Sequence, residues 1–338
     1  MNARRSRAAA ALVAAVLLLG SCSLVGSECS PGASCERRHF AISSAKWKRL
    51  PDAPGGPRQE VAAAALGRTI YVVGGLLPNG QATDRVESFD SRTQVWKSVT
   101  SLPTALHHAM AASLNGKLYV LGGYDASLGG KASSRVFVFD GTRWKETVRM
   151  KRPRAAGAAV TSGQGIMIVG GIGDDRHIAS AEIFDGLTWR SEASMPNPYD
   201  HVAAASETRG PVFVVGGRAA GKHFPTVQYF YGDKWDRLPD MHTARSGLGA
   251  GVIDGQLIVL GGEGPRIFPE VETFSVGRWR RLPDIGVPRH GIGVVVIGNV
   301  LYAMLGGVRV GLAPSAASEA LTVRIKETSY PYPSPSVS

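Results

Sequence analysis

Arg58, Arg154, Arg245 and Arg289 stand 16 or 17 residues ahead of four of six regularly spaced Gly-Gly pairs in the sequence. Guanidinium groups grip carboxylates and phosphates through a planar fork of donors, so four facing one space would suit an anionic ligand such as an acidic sugar. Leu106 and Tyr199 hold the same position in the other two segments. Beside it lie Gln59, Glu60, His107, His108, Asp200, His201, Ser246 and His290, so half of the eight histidines gather at one recurring point. A carboxylate next to an imidazole can exchange protons with a substrate, which makes Glu60, His108 and His201 the candidate acid–base residues. Arg58, His107, Arg154, Asp200, Arg245, Arg289 and His290 are the candidate ligand-binding residues. The competing reading makes the arginines struts that tie neighbouring segments through backbone carbonyls. No His-x-His or His-Glu-x-x-His spacing points to a metal, and no cofactor is expected. Asp84, Asp125, Asp174, Asp175 and Glu263 read as solvated loop charges.

The elements that carry these residues follow from a repeat. Gly-Gly pairs begin at Gly74, Gly122, Gly170, Gly216, Gly261 and Gly306, 45 to 48 residues apart. Each closes an apolar run rich in β-branched residues, such as Tyr71-Val72-Val73 or Leu257-Ile258-Val259-Leu260, which is a buried-strand signal. All six tryptophans (Trp47, Trp96, Trp144, Trp189, Trp235 and Trp279) keep the same period. Each unit divides into a small-residue strand, the strand before Gly-Gly, a Val/Phe strand and a Trp strand. Asn115-Gly116, Asp140-Gly141, Asp185-Gly186 and Asp254-Gly255 supply hairpin turns. The 42 glycines, roughly twice the usual share, fit such a turn-rich chain. Four antiparallel strands repeated radially make an all-β propeller.

Gly-Gly, a downstream Trp and this spacing resemble the kelch repeat from about Lys46 to Lys326. Trp47 precedes the first Gly-Gly, and no Trp follows the sixth. The expected fold is therefore a six-bladed kelch β-propeller over residues 46–327, with an N-terminal strand completing the last blade and hiding two sheet edges. Ligands are expected on the face that carries the long connections, such as Leu76 to Arg85. The resemblance implies a non-catalytic recognition module for a protein or acidic glycan, working as a monomer. The alternative is a sugar mutarotase. Pro54-Gly55-Gly56-Pro57-Arg58 ahead of the first Gly-Gly is similar to the bacterial sialic acid mutarotases, although their longer insertions are missing. A copper enzyme resembling galactose oxidase is excluded, because that cofactor needs a cysteine linked to tyrosine and no cysteine follows Cys35.

The start of the chain reads as an address. Arg4, Arg5 and Arg7 precede the apolar run Ala8 to Leu19, too short to span a bilayer. Leu19-Gly20-Ser21-Cys22 resembles the bacterial lipobox, which implies a signal peptide over 1–21, lipidation of Cys22 and anchoring at the bacterial cell membrane. Cys29 and Cys35 are then an even pair suited to a small disulfide loop in an oxidising compartment. Residues 22–45 are expected to be a flexible tether, and the Pro/Ser-rich residues 328–338 a disordered tail. The net charge of +11 falls by three when the leader is removed. With no long basic run, that balance fits anionic surfaces or solutes rather than nucleic acid.

Overall fold

The computed structural model describes residues 36–174, 176–207 and 210–331. Among them are six four-stranded antiparallel sheets and one short 3-10 turn, Ala126–Leu128. The first sheet runs in chain order from the inside outward: Ala62–Leu66, Thr69–Val73, Val86–Asp90 and Val95–Val99. The next four repeat it. Their innermost strands are Met110–Leu114, Ala158–Ser162, Ala203–Ala205 and Gly249–Ile253, and the sixth begins at Gly293–Ile297. Each innermost strand touches the next, and Gly293–Ile297 touches Ala62–Leu66. The circle closes as a β-propeller.

Crowding at the centre explains the small residues there. A Cβ built on Gly249 would come within 2.1 Å of Val294 Cγ2, and one on Gly251 within 2.5 Å of Val296 Cγ2. Further out, the apolar cores lie between neighbouring sheets. Val215, Val227 and Phe213 of the fourth sheet pack with Val259, Leu257 and Phe274 of the fifth. At the turns, Asn115-Gly116 and Asp254-Gly255 take positive φ at both residues, as two-residue hairpins require.

Two circuits of hydrogen bonds tie the sheets together. At the rim, each tryptophan indole N–H donates to a carbonyl on the connection leaving the preceding sheet. The pairs are Trp47 to Pro283, Trp96 to Pro51, Trp144 to Thr100, Trp189 to Val148, Trp235 to Ala193 and Trp279 to Pro239, all at 2.7 to 3.0 Å. That is why every tryptophan keeps the repeat: an indole packs apolar surface and still carries a donor.

The sixth sheet is made from both ends of the described chain. Its order is Glu36–Leu50, Pro314–Pro331, Val300–Gly307, Gly293–Ile297, with Trp47 opposite Leu321 and Ile42 opposite Ile325. The expected tether boundary at residue 45 needs correction, since the strand begins at Glu36 and its partner runs to Pro331. Ile42 explains part of this extension, being buried against Ile253, Leu321 and Val323. The leader, Cys22, Cys29 and Cys35 lie outside the described residues, as do residues 332–338 of the tail. No helix among the described residues is long and apolar enough to cross a membrane.

Candidate functional site

The four arginines do not open onto a shared space. Arg58, Arg154, Arg245 and Arg289 are fully buried, each inside its own sheet. Arg154 Nη1 donates to the Gly170 carbonyl at 3.0 Å, and Nη2 pairs with Glu182 Oε1 at 2.7 Å. Arg245 repeats this with Gly261 (3.1 Å) and Glu272 (2.7 Å). Arg58 does so with Gly74 and Glu87, and Arg289 pairs with Glu319 at 3.2 Å. The second oxygen of Glu87, Glu182 and Glu272 accepts a backbone N–H from the incoming connection, at Gly55, Lys151 and His242 respectively, while Glu319 accepts the Val287 N–H on the same Oε2 that faces Arg289. Burial lowers the Arg58, Arg245 and Arg289 guanidinium groups to about 10 despite their carboxylate partners, so they stay charged at neutral pH. The expectation of a cationic funnel is thereby corrected: these arginines brace the sheets from within, and their charges are already neutralised.

The ring position two residues further on is different. Glu60, His108, Ala156, His201, Gly247 and Gly291 all have φ between +51 and +60. Their backbones form the second circuit. His108 N–H donates to Glu60 O, Ala156 to His108, His201 to Ala156, Gly247 to His201, Gly291 to Gly247 and Glu60 to Gly291, at 2.7 to 3.1 Å. These six residues line an axial cavity of about 100 Å³. A left-handed conformation suits glycine and strains any residue with a Cβ, yet three of the six positions carry long functional side chains. Gly291 leaves room for one of them, since a Cβ there would lie 2.4 Å from Glu60 Oε1.

Around the axis the ionisable groups interlock. Glu60 Oε2 stands 3.3 Å from His108 Nε2, and Glu60 Oε1 stands 3.3 Å from His290 Nδ1. His290 Nδ1 also lies 3.5 Å from Glu263 Oε2, while its Nε2 faces the Arg309 and Gly311 carbonyls at 3.1 and 3.2 Å. Burial alone would lower His290, but Glu60 and Glu263 raise it above the ordinary imidazole value. His108 goes the other way, lowered by burial to about 3, and is a neutral imidazole. Burial would raise Glu60, but the surrounding imidazoles outweigh it and keep the group ionised. His201 Nδ1 bonds Asp200 Oδ1. Asp200 also takes His177 at 2.8 Å and Arg218 Nε at 3.0 Å.

Of the residues expected from sequence, Glu60, His108 and His201 come together, with His107, Asp200 and His290 beside them. Asp84 and Asp174 are exposed as solvated charges, whereas Glu263 and Asp125 are buried, which corrects their reading. Asp175 lies outside the described residues. Glu263 pairs with Arg218 at 3.3 Å, and Asp125 accepts from Thr104 at 2.7 Å. Sequence reading missed Arg218, which pairs with Asp200 and Glu263, and Tyr124, whose ring lies 5.1 Å from that of His107. Both sit two residues past the start of a Gly-Gly pair, as Glu263 does, so counting forward as well as back would have found them. A larger cavity of about 550 Å³ lies among the turns near Gly67, Asn115 and Gln164. Its one ionisable lining residue, Asp185, caps its own turn. The cluster of ionisable side chains is at the axis.

Residues 13–193 match the family described as "KLHDC2/KLHL20/DRC7 Kelch-repeats domain". Kelch-like protein terF of Aspergillus terreus is 29% identical over 249 residues, covering 65% of this chain and 54% of that protein. Kelch-like protein 35 of Mus musculus is 26% identical over 254 residues, covering 74% and 42%. The chain thus spans about half the length of these curated relatives. The solved structure of YjhT superimposes with a TM-score of 0.72 over 82% of this chain and 99% of that one. At 17% identity this is a likeness of fold.

Proposed function

We propose that this chain, which belongs to the kelch-repeat family, is a six-bladed recognition propeller that takes a protein or glycan ligand at the axis, on the long-connection face. The N-terminal strand seals the sixth blade in this reading, and the lipobox-like Leu19-Gly20-Ser21-Cys22 supports export and anchoring through Cys22. One observation carries the binding site: Glu60, His108 and His201 occupy strained ring positions that Ala156, Gly247 and Gly291 fill elsewhere. Asp200, Arg218, Glu263 and His290 surround them with mixed charge. Such a lining offers donors and acceptors in pairs, which suits hydroxyl groups and peptide amides better than a single anion. The test is titration of the protein with acidic and neutral glycans and with peptides, followed by calorimetry. His201→Gly should weaken the bound ligand at least tenfold without lowering the melting temperature. Unchanged affinity would move the site off the axis. Cys22→Ala should shift the protein from the membrane fraction to the soluble one.

A second reading, a sugar mutarotase acting on N-acetylneuraminate, rests on the Glu60 carboxylate standing 3.3 Å from each of two imidazoles. Opening a hemiacetal needs only a base for the anomeric hydroxyl and an acid for the ring oxygen. Ionised Glu60 could serve as the base and His290, raised in pKa, as the acid. Following anomer exchange of sialic acid by NMR, with and without the protein, separates the two readings.

A further inference from the structure

We propose that Glu60, His108 and His201 form a site for a single divalent transition-metal ion, zinc or a close relative, on the axis of the ring. The inference does not depend on what ligand the propeller recognises.

Three observations carry it. First, one donor atom from each of these residues lies within 4.8 Å of the other two. A tetrahedral ion bound at 2.0–2.1 Å holds its ligand atoms about 3.3 Å apart. His108 Nε2 and Glu60 Oε2 already have that separation, 3.3 Å, so His201 is the residue that must close in.

Second, both imidazoles are held by their other nitrogen. His201 Nδ1 is bonded to the Asp200 carboxylate, and His108 Nδ1 faces His107 Nδ1 at 2.6 Å. Protons on the two Nδ1 atoms place the lone pair of each imidazole on Nε2, the atom turned toward the proposed ion. A carboxylate or second acceptor behind the imidazole is the arrangement that orients histidine ligands and makes them more basic. Asp200 is held by His177 at 2.8 Å as well as by Arg218, so it keeps its place behind His201 when Arg218 is shortened.

Third, the three side chains occupy left-handed backbone that glycine takes at 247 and 291. The amide circuit needs only the backbone at these positions, so the side chains serve something else. Two imidazoles and one carboxylate favour borderline ions such as zinc, nickel or cobalt over magnesium and calcium, which prefer all-oxygen sets. Three protein ligands also leave coordination open toward the cavity, whose volume of about 100 Å³ holds an ion and a few waters.

One contact opposes loading. Arg218 Nη2 lies 3.2 Å from His201 Nε2, the lone pair the ion would use. Arg218 must give up that contact and keep its pairs with Asp200 and Glu263. The site should therefore bind more tightly when Arg218 is shortened.

The test uses the full chain with Cys22, Cys29 and Cys35 changed to serine, stripped of metal by a chelator. Zinc alone is titrated by calorimetry, and cobalt by its visible d–d absorption. One equivalent of each should bind, and magnesium should not compete. His108→Ala and His201→Gly should each weaken zinc at least 100-fold, the second while relieving the left-handed strain at its position. Asp200→Asn should weaken it about 10- to 100-fold, and Arg218→Gln should strengthen it. Far-ultraviolet circular dichroism and melting curves check that each variant is folded. Failure of the parent chain to bind zinc would overturn the proposal, as would zinc binding that folded His108→Ala and His201→Gly variants leave unchanged.

Discussion

At the scale of single residues, the axis shows how a repeated backbone can carry unrepeated chemistry. The six ring positions share one conformation and one hydrogen-bond pattern, but only Glu60, His108 and His201 put ionisable groups there. Ala156 offers a direct measure of what they cost. It has φ +53 and a methyl group that performs no chemistry. A left-handed conformation costs an L-residue about 1–2 kcal/mol, and glycine returns roughly 0.5–1 kcal/mol of this through its freer unfolded chain. Ala156→Gly should therefore stabilise the protein by up to about 1 kcal/mol, read from denaturant unfolding. A loss of stability would mean that the packing of the methyl outweighs the strain. The sequence made these residues visible one at a time: His108 and His201 stood out by position, and Glu60 as their neighbour. Their meeting was not visible, because they come from three different sheets and only closure of the ring brings them within 4.8 Å.

At the scale of the element, four of the six sheets are braced by a buried pair whose logic is written twice in the sequence. The Arg position and a glutamate on the third strand occur together in four sheets, as Arg58 with Glu87, Arg154 with Glu182, Arg245 with Glu272 and Arg289 with Glu319. Where the arginine is missing, so is the glutamate. The second sheet has Leu106 and Phe137, which pack in one apolar cluster, and the fourth has Tyr199 and Gln228. Gln228 still accepts the connection N–H, from Asn197 at 3.0 Å. Counting back from Gly-Gly finds the arginines and misses their partners, which lie 27 to 30 residues further on. Four unmatched guanidinium groups invite an anion; four matched ones do not. Removing one partner strands a buried charge, at a cost of about 3–5 kcal/mol, while replacing both with apolar groups can be nearly neutral. Arg154→Leu alone should thus destabilise strongly, and Arg154→Leu with Glu182→Phe should recover most of the loss by copying the second sheet. Thermal melts of both single variants and the double decide it. A double variant no better than the sum of its parts would show that the pair is not a self-contained brace.

At the scale of the whole molecule, the two circuits of hydrogen bonds require a last sheet as complete as the others. Five sheets take all four strands from one continuous stretch, but the sixth borrows Glu36–Leu50 from the far end of the chain. Trp47 continues the tryptophan circuit there, reaching the Pro283 carbonyl at 2.9 Å. Without this strand, Pro314–Pro331 becomes an exposed edge with unpaired backbone groups, and the apolar cluster around Leu321 and Val323 loses Ile42. A chain that begins at Pro51 should melt well below one that keeps the strand, and should self-associate as its concentration rises. A peptide spanning residues 36–50, added in trans, should restore the melting temperature by adding itself to that edge, as strand-addition ligands do. The same peptide with Trp47→Phe should restore less, because it pairs with the edge but cannot donate to Pro283. Equal rescue by both peptides would mean that the edge closes through backbone pairing alone. A shortened chain that melts like the longer one would mean that the ring is sealed elsewhere, and that the tryptophan circuit reports the repeat without holding it shut.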